Sequence, residues 1–166
     1  MFCSRRLANF VFPVAYFFIS MAYFTVAETL PVGSHPPAIE FPHFPDRIHA
    51  VVWRNWQLVP PERIASVLNT DVTNVHAIAS SMGLPSGDVP PRMKNRAYIT
   101  ILRRNWHLLP YDQLLTLLDM SAEQLAFSLQ EDDFLFIKLG SLKPKCAPVN
   151  YETPSEEVCR KAAQIK

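Results

Sequence analysis

The chain has 166 residues, 49% of them hydrophobic and 19% charged, with fifteen prolines, four glycines and a formal net charge of +1. This composition excludes wholesale disorder, which needs low hydrophobicity and high net charge, and excludes collagen-like or glycine-rich low-complexity classes. No GxGxxG or GxxxxGK[ST] run occurs, so no phosphate-cradling glycine loop is encoded.

Residues 7–27 (LANFVFPVAYFFISMAYFTVA) carry no charge and follow Arg5 and Arg6. Thr25 and Ala27 put small residues at the −3 and −1 positions of a cleavage site. The segment 1–27 is expected to be a secretory signal peptide or, if uncleaved, a membrane anchor, since roughly 20 apolar residues span a bilayer. Either way the remainder is expected to be exported, to the periplasm, the cell surface or the medium. Without Arg5 and Arg6 the sixteen basic residues fall to fourteen against fifteen acidic ones, which disfavours a nucleic-acid partner. Cys146 and Cys159 then allow one disulfide, or stand as two free thiols.

Residues 28–45 hold five prolines and read as an extended linker, with His35 and His43 as solvated side chains rather than metal ligands. From residue 46 the chain repeats itself at an offset of 50. RNWQLVP at 54–60 returns as RNWHLLP at 104–110, so Asn55, Trp56 and Pro60 match Asn105, Trp106 and Pro110. A repeated tryptophan in a matched context points to duplication of a structural unit.

The first unit, 46–84, is expected to hold three helices. Asp46 caps the first, Pro60 and Pro61 open the second, Asp71 caps the third and Gly83 ends it. A linker at 85–94 leads to the second unit, 95–140, in which Ser121 and Gln124 have capping-box spacing. Its closing run FLFIKL at 134–139 is expected to be a short buried strand or an extended plug. The last segment, 141–166, reads as a proline-punctuated stretch and a terminal helix without a C-cap, as if more chain followed. The fold class expected is all-α: two tandem, helix-turn-helix-like three-helix units, with an N-terminal signal helix and extended proline-rich linkers.

The spacing Ile64, Ala65, Leu68, Val72, Val75, Ile78 resembles a DNA-binding helix-turn-helix, which would place Thr73, Asn74 and His76 near base edges. The candidate reading helix has no Lys or Arg, and phosphate neutralisation supplies most non-specific affinity, so DNA binding is the second reading. The phrases FPDRIHAVVWRNWQLVP, ITILRRNWHLLPYDQLL and EDDFLFIKLGSLKPKC resemble the N-terminal helical region of large secreted bacterial proteins with glycoside-hydrolase-like segments further along. That resemblance implies export and a catalytic portion beyond residue 166. The chain itself is expected to be a non-catalytic helical interaction module of an exported bacterial protein, with a protein or carbohydrate partner and no cofactor.

Among side chains that could act, Trp53 is unpaired in the repeat, opposite Arg103, and together with Arg103 and Arg104 is the candidate interaction surface. The basic stretch Arg92, Lys94, Arg96, Arg103 and Arg104 suits an acidic partner or a solvated face. Asn55, Trp56, Pro60, Asn105, Trp106 and Pro110 are expected to be structural, each Trp plugging its unit and each Asn satisfying turn backbone. The carboxylates Glu131, Asp132 and Asp133 lack the alternation and glycine of a calcium loop. No nucleophilic triad and no metal constellation is encoded, and the chain is not expected to be an enzyme.

Overall fold

A computed structural model of the chain describes residues 30–33, 37–91, 97–132, 134–140 and 142–166. The expected signal or anchor at 1–27, His35, Asp133 and the basic residues Arg92, Lys94 and Arg96 lie outside the described residues.

Helix α1, Arg47–Asn55, starts where Asp46 accepts the His49 backbone N–H at 2.8 Å, and buries Ile48, Val51, Val52 and Asn55. It stops in a tight turn in which the Asn55 carbonyl accepts from Leu58 and Val59. Helix α2, Pro61–Val67, begins with a proline whose missing N–H would have had no partner in the first turn. Asn69 (φ +53°) then takes the left-handed conformation that lets the Thr70 N–H close back on the Ala65 carbonyl. Helix α3, Val72–Ser81, packs on α1 and α2 through Val75, Ile78 and Ala79. Asp71 stands at its N-cap position without a side-chain hydrogen bond, and Gly83 (φ +70°) ends it.

The offset of 50 recurs in the backbone of α4, Tyr98–Asn105, and α5, Tyr111–Leu118. The Asn105 carbonyl accepts from Leu108 and Leu109, at 3.0 and 3.1 Å, the distances seen at Asn55. Asp119 (φ +58°) takes the left-handed role of Asn69, and Met120 closes on Leu115 as Thr70 closes on Ala65. Ser66 Oγ and Thr116 Oγ1 each donate to the carbonyl four residues back at 3.0 Å. Helix α6, Ala122–Glu131, opens with the expected capping box between Ser121 and Gln124. Here the parallel weakens, because α6 makes its most extensive contacts with the helix that follows rather than with α4 and α5.

That next element corrects a sequence expectation. Residues 135–138 form a one-turn helix, α7, Leu135–Lys138, in place of a strand or plug. Leu135 and Leu139, four apart, are buried, while Phe134 and Ile137 are 71% and 65% exposed. A strand there would need a neighbouring edge to satisfy its backbone, whereas α7 closes its own bonds, Lys138 to Phe134 and Leu139 to Leu135.

The fold is mostly helical, with one further element type. Strand β1, Val32–Gly33, pairs in parallel with β2, Lys143–Pro144, so the proline-rich segment before the repeat is tied to the segment after it. Helix α8, Glu156–Ile165, is capped by Ser155 and rests on α3 through the buried Ala162. One hydrophobic cluster runs through both halves, joined where α1 meets α4 and α2 meets α5.

Candidate functional site

The repeated Arg-Asn-Trp brings its two copies together. Asn55 and Asn105 are fully buried and face each other. Asn55 Nδ2 donates to Asn105 Oδ1 at 3.0 Å and to the Val51 carbonyl at 2.8 Å. Asn105 Nδ2 donates to Asn55 Oδ1 and to the Ile101 carbonyl, both at 2.7 Å. All four amide hydrogens are therefore satisfied in a reciprocal pair with local two-fold character. The neighbouring arginines cross in the same way, Arg54 Nε donating to the Arg104 carbonyl at 2.7 Å and Arg104 Nη1 to the Arg54 carbonyl at 2.8 Å. Partial burial, then the charge of Arg104, lower the pKa of Arg54, whose guanidinium also lies 4.9 Å from the Phe41 ring centre.

The two tryptophans are buried but held differently. Trp56 Nε1 donates to the Pro85 carbonyl at 2.8 Å, and its ring meets His76 edge-on at 5.7 Å. Trp106 Nε1 has no acceptor among the described residues, and its ring meets Tyr111 edge-on. Pro60 and Pro110 stand at the N-caps of α2 and α5.

The candidate surface residues are not brought together as one patch. Trp53 and Arg103 each lie two positions, about 200° of helix, from the asparagine that joins α1 to α4, so each is on the outer side of its own helix. Trp53 is 39% exposed with its ring tilted against Phe44, Arg103 is exposed, and Arg104 folds back on Arg54. Of the carboxylates, Asp132 accepts the Tyr98 hydroxyl and Glu131 is exposed. On α3, Thr73 and His76 are exposed, while Asn74 donates to Thr70 Oγ1.

Sequence reasoning passed over Lys143, Gln113 and Arg47. Lys143 is 1% exposed, and its Nζ donates to the Trp106 carbonyl at 3.0 Å and to the Leu109 carbonyl. It lies 3.5 Å from Cys146 Sγ and between the Trp106 and Tyr111 rings. Burial lowers its pKa, against a smaller raising effect of Cys146 and Asp112. Burial likewise raises the phenol of Tyr111, whose hydroxyl donates to the Pro31 carbonyl. His107 accepts the Ile39 N–H on Nδ1, and burial followed by the Lys143 charge lowers its pKa. Nothing in LKPKC marks one lysine as internal. Gln113 did carry a signal, as a polar residue beside Leu114 and four before Leu117. It is buried, donates to the Val67 and Val149 carbonyls and accepts the Val149 N–H, stitching the last third of the chain to α2 and α5. Arg47 reaches the Leu108 and Ala147 carbonyls.

Cys146 and Cys159 are both free thiols, the first half-buried and the second exposed on α8. Among the described residues no three of His, Cys, Asp and Glu gather to hold a metal ion, and no helix is long and apolar enough to cross a membrane. No protein-family model matches the chain, and no curated protein or solved structure matches it either.

Proposed function

We propose that the chain is a non-catalytic helical interaction module of an exported bacterial protein, built on two tandem three-helix units, and the N-terminal part of a larger protein with carbohydrate-active segments. The observation that carries this reading is the reciprocal Asn55–Asn105 pair flanked by the crossed Arg54 and Arg104. The polar residues that the duplication repeats are engaged in joining the two halves, not in lining a cleft. What the protein offers outward is its surface, including Trp53 and Arg103 and the large exposed side chains Phe127, Phe134 and Ile137 on and beside α6 and α7. Aromatic faces of this kind suit sugar rings and protein partners alike.

The test is co-sedimentation of the full chain with insoluble cellulose, chitin and peptidoglycan, combined with an assay of released reducing ends. Retention on one of them that Trp53→Ala weakens, with no release, supports the reading. Hydrolysis lost on Asp132→Asn would replace it with an enzyme. Salt-dependent binding to duplex DNA would replace it with the helix-turn-helix alternative, which the uncharged α3 disfavours.

A further inference from the structure

We propose that Cys146 and Lys143 are a modification site: a peroxide oxidises the Cys146 thiol, and the Lys143 amine then closes on it to form a sulfenamide crosslink. Two surroundings make the pair suitable. Cys146 is half-buried and lines an open pocket of about 280 Å³ with Ile39, Phe41, Arg47, His107 and Lys145, a path by which a small oxidant would reach it from solvent. Lys143 Nζ sits behind it at 3.5 Å, in a residue 1% exposed and closed to water. Among the described residues no carboxylate lies in ion-pair contact with this amine, on which Asp112 acts only through its charge; its hydrogen-bond partners are the Trp106 and Leu109 carbonyls and the thiol. Burial favours the neutral amine, and the two carbonyls that Nζ bonds hold the nitrogen beside Sγ.

The chemistry balances in two steps. Sulfur attacks the peroxide, an S–O bond forms, the O–O bond breaks, and one water leaves, giving the sulfenic acid. The amine then attacks sulfur, an S–N bond forms, the S–O bond breaks, and hydroxide departs with the amine proton as a second water. Sulfur is oxidised by two electrons and the peroxide is reduced by two. The amine held at 3.5 Å competes with a second peroxide for the sulfenic sulfur, as in the known condensation of sulfenic acids with backbone nitrogen. The crosslink would fasten β2 over Trp106.

The experiment is intact-mass measurement on the full chain carrying Cys3→Ser and Cys159→Ser, so that Cys146 is the sole thiol and no internal disulfide can form. After hydrogen peroxide, a species lighter by about 2 Da, reversed by dithiothreitol and bridging residues 143 and 146 in fragment spectra, is expected. Lys143→Arg should abolish that species while leaving oxygen adducts on Cys146. Because this variant removes a buried group and can fail to fold, the same chain oxidised in concentrated guanidinium chloride is the second control, and no bridge is expected there. Oxygen adducts alone in the native chain would overturn the proposal. So would a loss of about 2 Da that persists in Lys143→Arg, which would assign the bond to another nitrogen such as Lys145 or a backbone amide, or one that persists in denaturant, which would show that the fold does not direct it.

Discussion

Gly87 shows how closely a single position is specified. A Cβ there would fall 2.9 Å from the Trp56 ring and 3.0 Å from Pro61, in the loop whose Pro85 carbonyl accepts the Trp56 N–H. Gly87→Ala should destabilise the chain by about 1–3 kcal/mol, as overpacking does, with a red-shifted tryptophan emission. An unchanged urea midpoint would mean that this loop does not cover the indole. Tyr98 provides a pH test. Burial, followed by the hydrogen bond to Asp132, raises its phenol to about 12 from 10.0. A pKa raised by folding contributes stability that is complete below pH 10 and is lost as pH climbs towards 12. The urea midpoint should therefore fall between pH 9 and 11.5 more steeply in the wild type than in Tyr98→Phe. Equal slopes would contradict the half-buried hydrogen bond to Asp132.

Elements divide into those whose local chemistry suffices and those decided by distant partners. Asp46, the proline at the start of α2 and the capping box at Ser121 were legible because each signal lies within four residues of the structure it controls. The left-handed matches at Asn69 and Asp119 follow from the repeat, since both types tolerate that conformation. Residues 134–139 misled because aromatic and branched side chains describe a half-buried surface as well as a strand, and no strand among the described residues pairs with them. The strap at 149–151 was illegible, since its anchors, Gln113 and the Leu68 carbonyl, are 36 and more residues away. Repeat-equivalent positions can consequently differ in weight. Gln113→Ala leaves buried groups of residues 67 and 149 without partners and should cost about 1–3 kcal/mol. Arg63→Ala, at the matching position, loses only an ion pair to the well-exposed Asp119 and should cost under about 1 kcal/mol. Equal costs in urea titrations would remove the strap's assigned role.

At the scale of the molecule, the duplication in the sequence announced two similar parts but not how they meet. The recurrence of Asn55 and Asn105 suggested that each satisfies backbone within its own part. Each does bond a carbonyl of its own helix, and the structure also pairs the two across the interface. Two-fold contacts of this kind cannot be inferred from one copy of the motif, because each asparagine is the other's missing partner. The side chains expected to face outward, Trp53 and Arg103, each lie about 200° of helix from the asparagine at that joint. With one core running through α1, α2, α4 and α5, the chain should unfold in a single transition seen alike by tryptophan emission and far-ultraviolet dichroism. The joint between the two halves rests above all on the buried asparagine pair, and a double-mutant cycle with Asn55→Leu, Asn105→Leu and both tests it most directly. Each single change strands one buried amide, so the double variant should be more stable than the two losses summed, by a coupling of about 1 kcal/mol or more. Losses that add to within about 0.5 kcal/mol would show that the two copies of the motif do not hold each other.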